Sequence, residues 1–119
     1  MNRKRELTRQ YKEAMPPMGV FVIRNLVNQR VFVGGSTHVE GAMNRIRFEL
    51  GLKSHRNTKL MQDWMRWGPE NFRFEVIDTV KQREDPDFDY AGELAALLQM
   101  WREELPCRGE NGYNSEDLP

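Results

Sequence analysis

Two short runs rich in β-branched and aromatic residues, Gly19-Val-Phe-Val-Ile-Arg24 and Arg30-Val-Phe-Val33, do most to limit what this chain can fold into. Such side chains favour an extended, pleated backbone. The joining segment, Asn25-Leu-Val-Asn-Gln29, holds the turn-prone Asn25 and Asn28, so the two runs are predicted to form a β-hairpin. Gly34-Gly35-Ser36-Thr37 is then predicted to break the second strand and to supply N-caps for a following helix.

Past the hairpin the apolar period changes from two to between three and four. Val39, Ala42, Met43, Ile46 and Leu50 predict one buried helix face over 39–52. Leu60, Met61, Trp64 and Met65 predict a second helix over 57–67, closed by Gly68-Pro69. Alternation returns at Phe72, Phe74 and Val76, which predicts a strand over 71–80. An acidic turn, Asp85-Pro-Asp-Phe-Asp89, leads to a last helix over 90–105 built on Leu94, Leu97, Leu98, Trp101 and Leu105. The tail from Cys107 to Pro119 reads as loop. Upstream, Arg3–Met15 has Leu7, Tyr11, Ala14 and Met15 at helical spacing, and Pro16-Pro17 stops that helix.

The order α-ββ-αα-β-α places the chain in the α+β class, with a small three-stranded antiparallel sheet flanked by helices and an extra N-terminal helix. Its 119 residues suit one domain, divided here as an N-terminal helix and Pro-Pro joint (1–17), a domain (18–114) and a tail (115–119). With 39% hydrophobic and 30% charged residues, composition excludes a disordered chain. No apolar run approaches the roughly 20 residues of a membrane span, and Met1-Asn-Arg-Lys-Arg-Glu-Leu7 has no apolar stretch of a signal peptide, so the expectation is cytoplasmic, without membrane partners. Cys107 is the only cysteine, which excludes an intrachain disulfide and a cysteine metal site, and it reads as a loop thiol.

Formal charge is zero, yet residues 1–60 carry 12 basic and 4 acidic side chains, leaving 6 basic and 14 acidic in the remainder. That split fits either a nucleic-acid face or two halves that attract each other on folding.

Several pieces stand in a telling order: Gly19-Val-Phe21, Asn25, Phe32-Val-Gly34, Leu60-Met-Gln-Asp-Trp64, Trp67-Gly68-Pro-Glu-Asn71-Phe-Arg-Phe74, Trp101 and Gly112-Tyr-Asn114. In that order and spacing, over about residues 18–114, the chain resembles the GIY-YIG family of homing and repair-type nucleases. The resemblance implies a GIY-YIG-like fold and a family chemistry of phosphodiester hydrolysis. That chemistry needs a base, a cation for the phosphate and one divalent metal, Mg²⁺ or Mn²⁺.

The resemblance also assigns positions, and every one is altered. Where the family has its tyrosine base and the supporting tyrosine, this chain has Phe21 and Phe32. A phenyl ring packs but moves no proton. Ala42 stands in place of the phosphate-holding arginine, Ile46 in place of a histidine, and Leu98 in place of the metal-binding glutamate. The expectation is a pseudo-nuclease, endonuclease-like in fold, with no catalytic residue and no metal cofactor. Arg45, one turn from Ala42, keeps open a divergent metal-dependent DNA endonuclease.

Arg45, Arg47, Lys53, Arg56 and Lys59 are the candidates for binding DNA or another nucleic acid. His38 and His55 read as surface residues, Trp64 as core, and Trp67 as either core or a stacking surface. The expected function is nucleic-acid binding without cleavage. The alternative is a protein-interaction module, docking on a partner or forming a homodimer by matching its basic half to its acidic half.

Overall fold

A computed structural model describes residues 16–114. The helix expected over 3–15 and the tail 115–119 lie outside the described residues. The chain runs β1 (Gly19–Asn25), β2 (Val31–Ser36), α1 (Val39–Gly51), α2 (Thr58–Trp67), β3 (Phe72–Thr79) and α3 (Tyr90–Glu104), with 3₁₀ turns at Pro69–Asn71 and Gly109–Asn111. The class is α+β, with one antiparallel sheet of strand order β2-β1-β3.

The hairpin turn is built by its two asparagines. Asn25 Oδ1 accepts from the Val27 N–H at 2.8 Å, and Asn28 Oδ1 accepts from the Arg30 N–H at 3.0 Å. These bonds mimic backbone turns, which is why Asn recurs in such loops.

β2 runs farther than expected. Gly34, Gly35 and Ser36 do not break it but pair with Phe21, Val20 and Gly19 of β1. The reason is packing: a Cβ on Gly34 would lie 2.7 Å from Phe21 Cζ and 2.8 Å from Phe32 Cε1, so the missing side chain makes room for both rings. The expected N-cap of α1 also differs. His38 occupies the cap without a side-chain bond, while Ser36 Oγ accepts from the His38 N–H at 2.9 Å. At the start of β3, Asn71 belongs to the preceding 3₁₀ turn rather than to the strand.

Alternation along the strands sorts the core into two layers. Phe21, Ile23, Phe32, Phe72, Phe74 and Val76 pack on α1 and α2 through Val39, Met43, Leu50, Leu60, Met61 and Trp64. Val20, Val22, Val31 and Val33 face the other way, onto Leu97, Leu98 and Trp101 of α3. The central strand β1 is therefore apolar on both faces. A bulge between Val20 and Phe21 shifts the β1/β3 register, and Ile77 joins the α3 side.

Two readings of the C-terminal segment need correction. Cys107 is not a loose loop thiol but fully buried in the α3 layer. The tail is not free loop as far as residue 114. Gly112 bridges Val31, and Asn114 grips Val33 through both amide atoms, accepting from its N–H and donating to its carbonyl at 2.9 Å each. β2 lies at the sheet edge, and these contacts satisfy backbone groups that an edge strand leaves unpaired. Among the described residues no helix is long and apolar enough to cross a membrane.

Candidate functional site

A cavity of about 1000 Å³ opens at the β2 edge, between α1 on one face of the sheet and α3 on the other. Phe21, Phe32, Ala42, Ile46 and Leu98 all line it. Sequence positions up to 77 residues apart thus converge because β1 and β2 pair, α1 covers one face and α3 the other.

One part of its lining is apolar. The rings of Phe21 and Phe32 stand 6.2 Å apart between centroids, tilted by 38°. Phe21 is 3% exposed, and Phe32 is only half-buried. On the α3 side Leu98 closes against Gly35, where a Cβ would lie 3.2 Å from Leu98 Cδ2.

Mg²⁺ or Mn²⁺ prefers about six oxygen ligands in a compact shell. Glu49 is the one acidic side chain among the described residues lining the cavity, and it lies 3.8 Å from Arg45 in an i,i+4 pair. No three His, Cys, Asp or Glu side chains gather as a ligand set among the described residues. Leu98 offers only methyl groups to its side of the cavity. These residues do not fit the metal.

The rim is cationic. Arg45 projects from α1 with its side chain 79% exposed, and Arg56 stands in the α1–α2 loop. A third guanidinium, Arg102 of α3, was missed by sequence reasoning. Its Nε donates to the Val33 carbonyl at 3.3 Å, which fixes it beside β2. Burial lowers its pKa, Cys107 opposes that and Arg108 adds to it; an arginine still keeps its charge. Its spacing one turn after Leu98 was the available signal, but only the position of α3 across the sheet turns it toward the cavity.

The other candidates are engaged elsewhere. Arg47 lies over the Phe74 ring, 4.3 Å from its centroid. Lys59 Nζ donates to the Gly109 carbonyl at 2.6 Å and holds the tail. Lys53, left-handed at φ 59°, is exposed beyond the end of α1 and does not line the cavity.

Both histidines line the cavity, His38 as the surface residue expected and His55 less exposed than expected. His38 is exposed; His55 is half-buried, and its Nδ1 accepts from the Asn57 N–H at 3.1 Å. Burial lowers the His55 pKa, Glu49 raises it and Arg56 lowers it; with Nδ1 accepting from Asn57, the neutral ring carries its proton on Nε2. Trp64 packs on Phe72 and Phe74, as expected of core, and half-buried Trp67 lies outside the cavity under Arg66.

A second polar cluster sits under the hairpin and is structural. Tyr113 Oη donates to Asp63 Oδ2 at 2.6 Å and accepts from Asn25 Nδ2 at 3.0 Å. Arg30 Nη1 and Asn28 Nδ2 donate to the same carboxylate oxygen at 3.0 and 3.2 Å. Asn57, the α2 N-cap, ties that helix to the tail by donating to the Tyr113 carbonyl at 2.7 Å.

No family model and no curated protein matches the chain. Among solved structures, it is similar to the catalytic domain of the homing endonuclease I-TevI, with 24% identity, a TM-score of 0.69, and coverage of 84% of this chain and 99% of that one. It is similar also to a glutamate-to-alanine mutant of the catalytic domain of that intron endonuclease, with 22% identity, a TM-score of 0.70, and coverage of 87% and 97%. The fold is GIY-YIG-like.

Proposed function

We propose that this domain holds nucleic acid at the cavity and does not cleave it. The observation that carries the reading is the convergence of Phe21, Phe32, Ala42, Ile46 and Leu98 on one cavity rimmed by Arg45, Arg56 and Arg102. Hydrolysis in this fold family would draw a base, a cation and a metal ligand from those five positions, and apolar side chains supply none. Three guanidiniums against the single carboxylate of Glu49 leave the rim positive, suited to a phosphate backbone. The solved structures it resembles are of an endonuclease, so a nucleic-acid partner accords with the fold.

Supercoiled plasmid incubated with the protein and Mg²⁺ or Mn²⁺ tests this reading. Retarded, uncut plasmid is the expected result. Nicking that Arg45→Ala abolishes would instead support a divergent endonuclease.

One observation favours a second reading, a protein-interaction or dimerisation module. Phe48 and Leu52, four residues apart at the end of α1, are 67% and 62% exposed. Sedimentation of the wild type and of Phe48→Ser/Leu52→Ser, with a pull-down by each, would separate them: a concentration-dependent dimer lost in the variant supports it, and a monomer throughout that captures no partner removes it.

A further inference from the structure

We propose that the cavity seats an unpaired base of single-stranded nucleic acid on the half-buried ring of Phe32, with Arg45, Arg56 and Arg102 holding the flanking phosphates. This rests on the reading of the domain as a nucleic-acid binder and narrows it to one class of ligand.

A duplex keeps its bases stacked inward and offers a protein mainly phosphates and groove edges. Phosphate contact alone calls for cations on an accessible surface, not for an apolar hollow beside them. Here the cations share their cavity with a cluster of phenyl and alkyl side chains, Phe21, Phe32, Ala42, Ile46 and Leu98. A base pushed into the hollow would cover that cluster, as bases do on aromatic side chains in single-strand grooves. Of the two rings, Phe21 is 3% exposed and has no free face, whereas Phe32 is only half-buried. The volume of about 1000 Å³ lies at the upper end of the roughly 300–1,000 Å³ typical of small-ligand pockets, so it suits a nucleotide better than a lone phosphate.

The layout of charge agrees. Arg45 and Arg56 come from α1 and its following loop on one side of the sheet, and Arg102 comes from α3 on the other. A strand crossing the cavity meets a cation before and after the base. His55 adds a polar contact, since its Nδ1 is taken by the Asn57 N–H and its Nε2–H is left to donate to a ring nitrogen or carbonyl of the base.

The test is fluorescence anisotropy with the full chain, a short labelled single strand, a duplex of the same sequence, and a strand with an abasic site at its centre. The single strand is expected to bind about tenfold tighter than the duplex. Phe32→Leu keeps apolar volume but removes the aromatic ring, and it should weaken the single strand by about five- to tenfold and the duplex by markedly less. The abasic strand should bind the unaltered protein more weakly by a similar factor, a measurement that stands even if the variant does not fold. Equal affinity for single strand, abasic strand and duplex overturns the base seat and leaves nucleic-acid binding intact. Absence of binding to all three at low salt overturns both.

Discussion

Phe21 and Phe32 come from neighbouring strands and meet above Gly34, whose missing side chain leaves room for both rings. Gly34→Ala should therefore force the rings apart. Crowding of this kind costs about 1–3 kcal/mol. Urea unfolding should show that loss, and nucleic-acid affinity should fall with it because the apolar lining is reshaped. An unchanged midpoint would contradict the packing described.

The Asp63–Tyr113 pair makes stability depend on acid. Burial alone would raise the Asp63 pKa, but hydrogen bonds from Tyr113, Asn28 and Arg30, with the charge of Arg30, outweigh it and hold the carboxyl below its ordinary value. Tyr113 is pushed up, first by burial and then by Asp63. A lowered carboxyl pKa contributes stability that is present above the unfolded value of about 4 and lost as pH falls through the folded value. Stability should thus drop below about pH 4 in the wild type and change less there in Asp63→Asn. At pH 7 that variant should be less stable by about 1–3 kcal/mol, since Arg30 loses its ion pair and the Tyr113 hydroxyl its charged acceptor.

Cys107 is fully buried, and burial raises its thiol pKa against the pull of Arg108 and Arg102. The thiolate is the reactive form. A thiol reagent should leave the native protein unlabelled over minutes at pH 7.5 and label it fully in urea. Rapid native labelling would mean that the tail does not cover the β2 edge.

Arg102 and Lys53 separate the cavity rim from general surface charge. Each phosphate contact contributes about 0.7 to the slope of log affinity against log salt for a single strand. Arg102→Met should lower the slope by about that much, and Lys53→Met should leave it unchanged. Equal effects would point to diffuse attraction rather than a site.

The hairpin, the three helices and the third strand were legible because period and turn chemistry are local. Asn25 and Asn28 announced the turn that they build. Gly34-Gly35 misled because a glycine pair reads as a break, while here Gly34 is matched to the rings of Phe21 and Phe32. The five apolar cavity positions came from resemblance, and only the pairing of β1 with β2 and the opposed placement of α1 and α3 bring them together. Charge alone did not distinguish Arg45 and Arg56 at the rim from Arg47 on Phe74 or Lys59 on the Gly109 carbonyl. Arg102 and Cys107 were misjudged for one reason: each takes its place from contacts of α3 and the tail with the edge strand, which periodicity does not encode.

The domain is proposed to bind nucleic acid without cutting it. The most direct measurement is a salt titration of a labelled single strand with Mg²⁺ present, scoring in each sample both the fraction bound and the length of the strand recovered. Binding at low salt with a log–log slope near −2, about 0.7 for each of the three guanidiniums, and a strand recovered intact are expected. No binding at low salt, or a shortened strand, contradicts it.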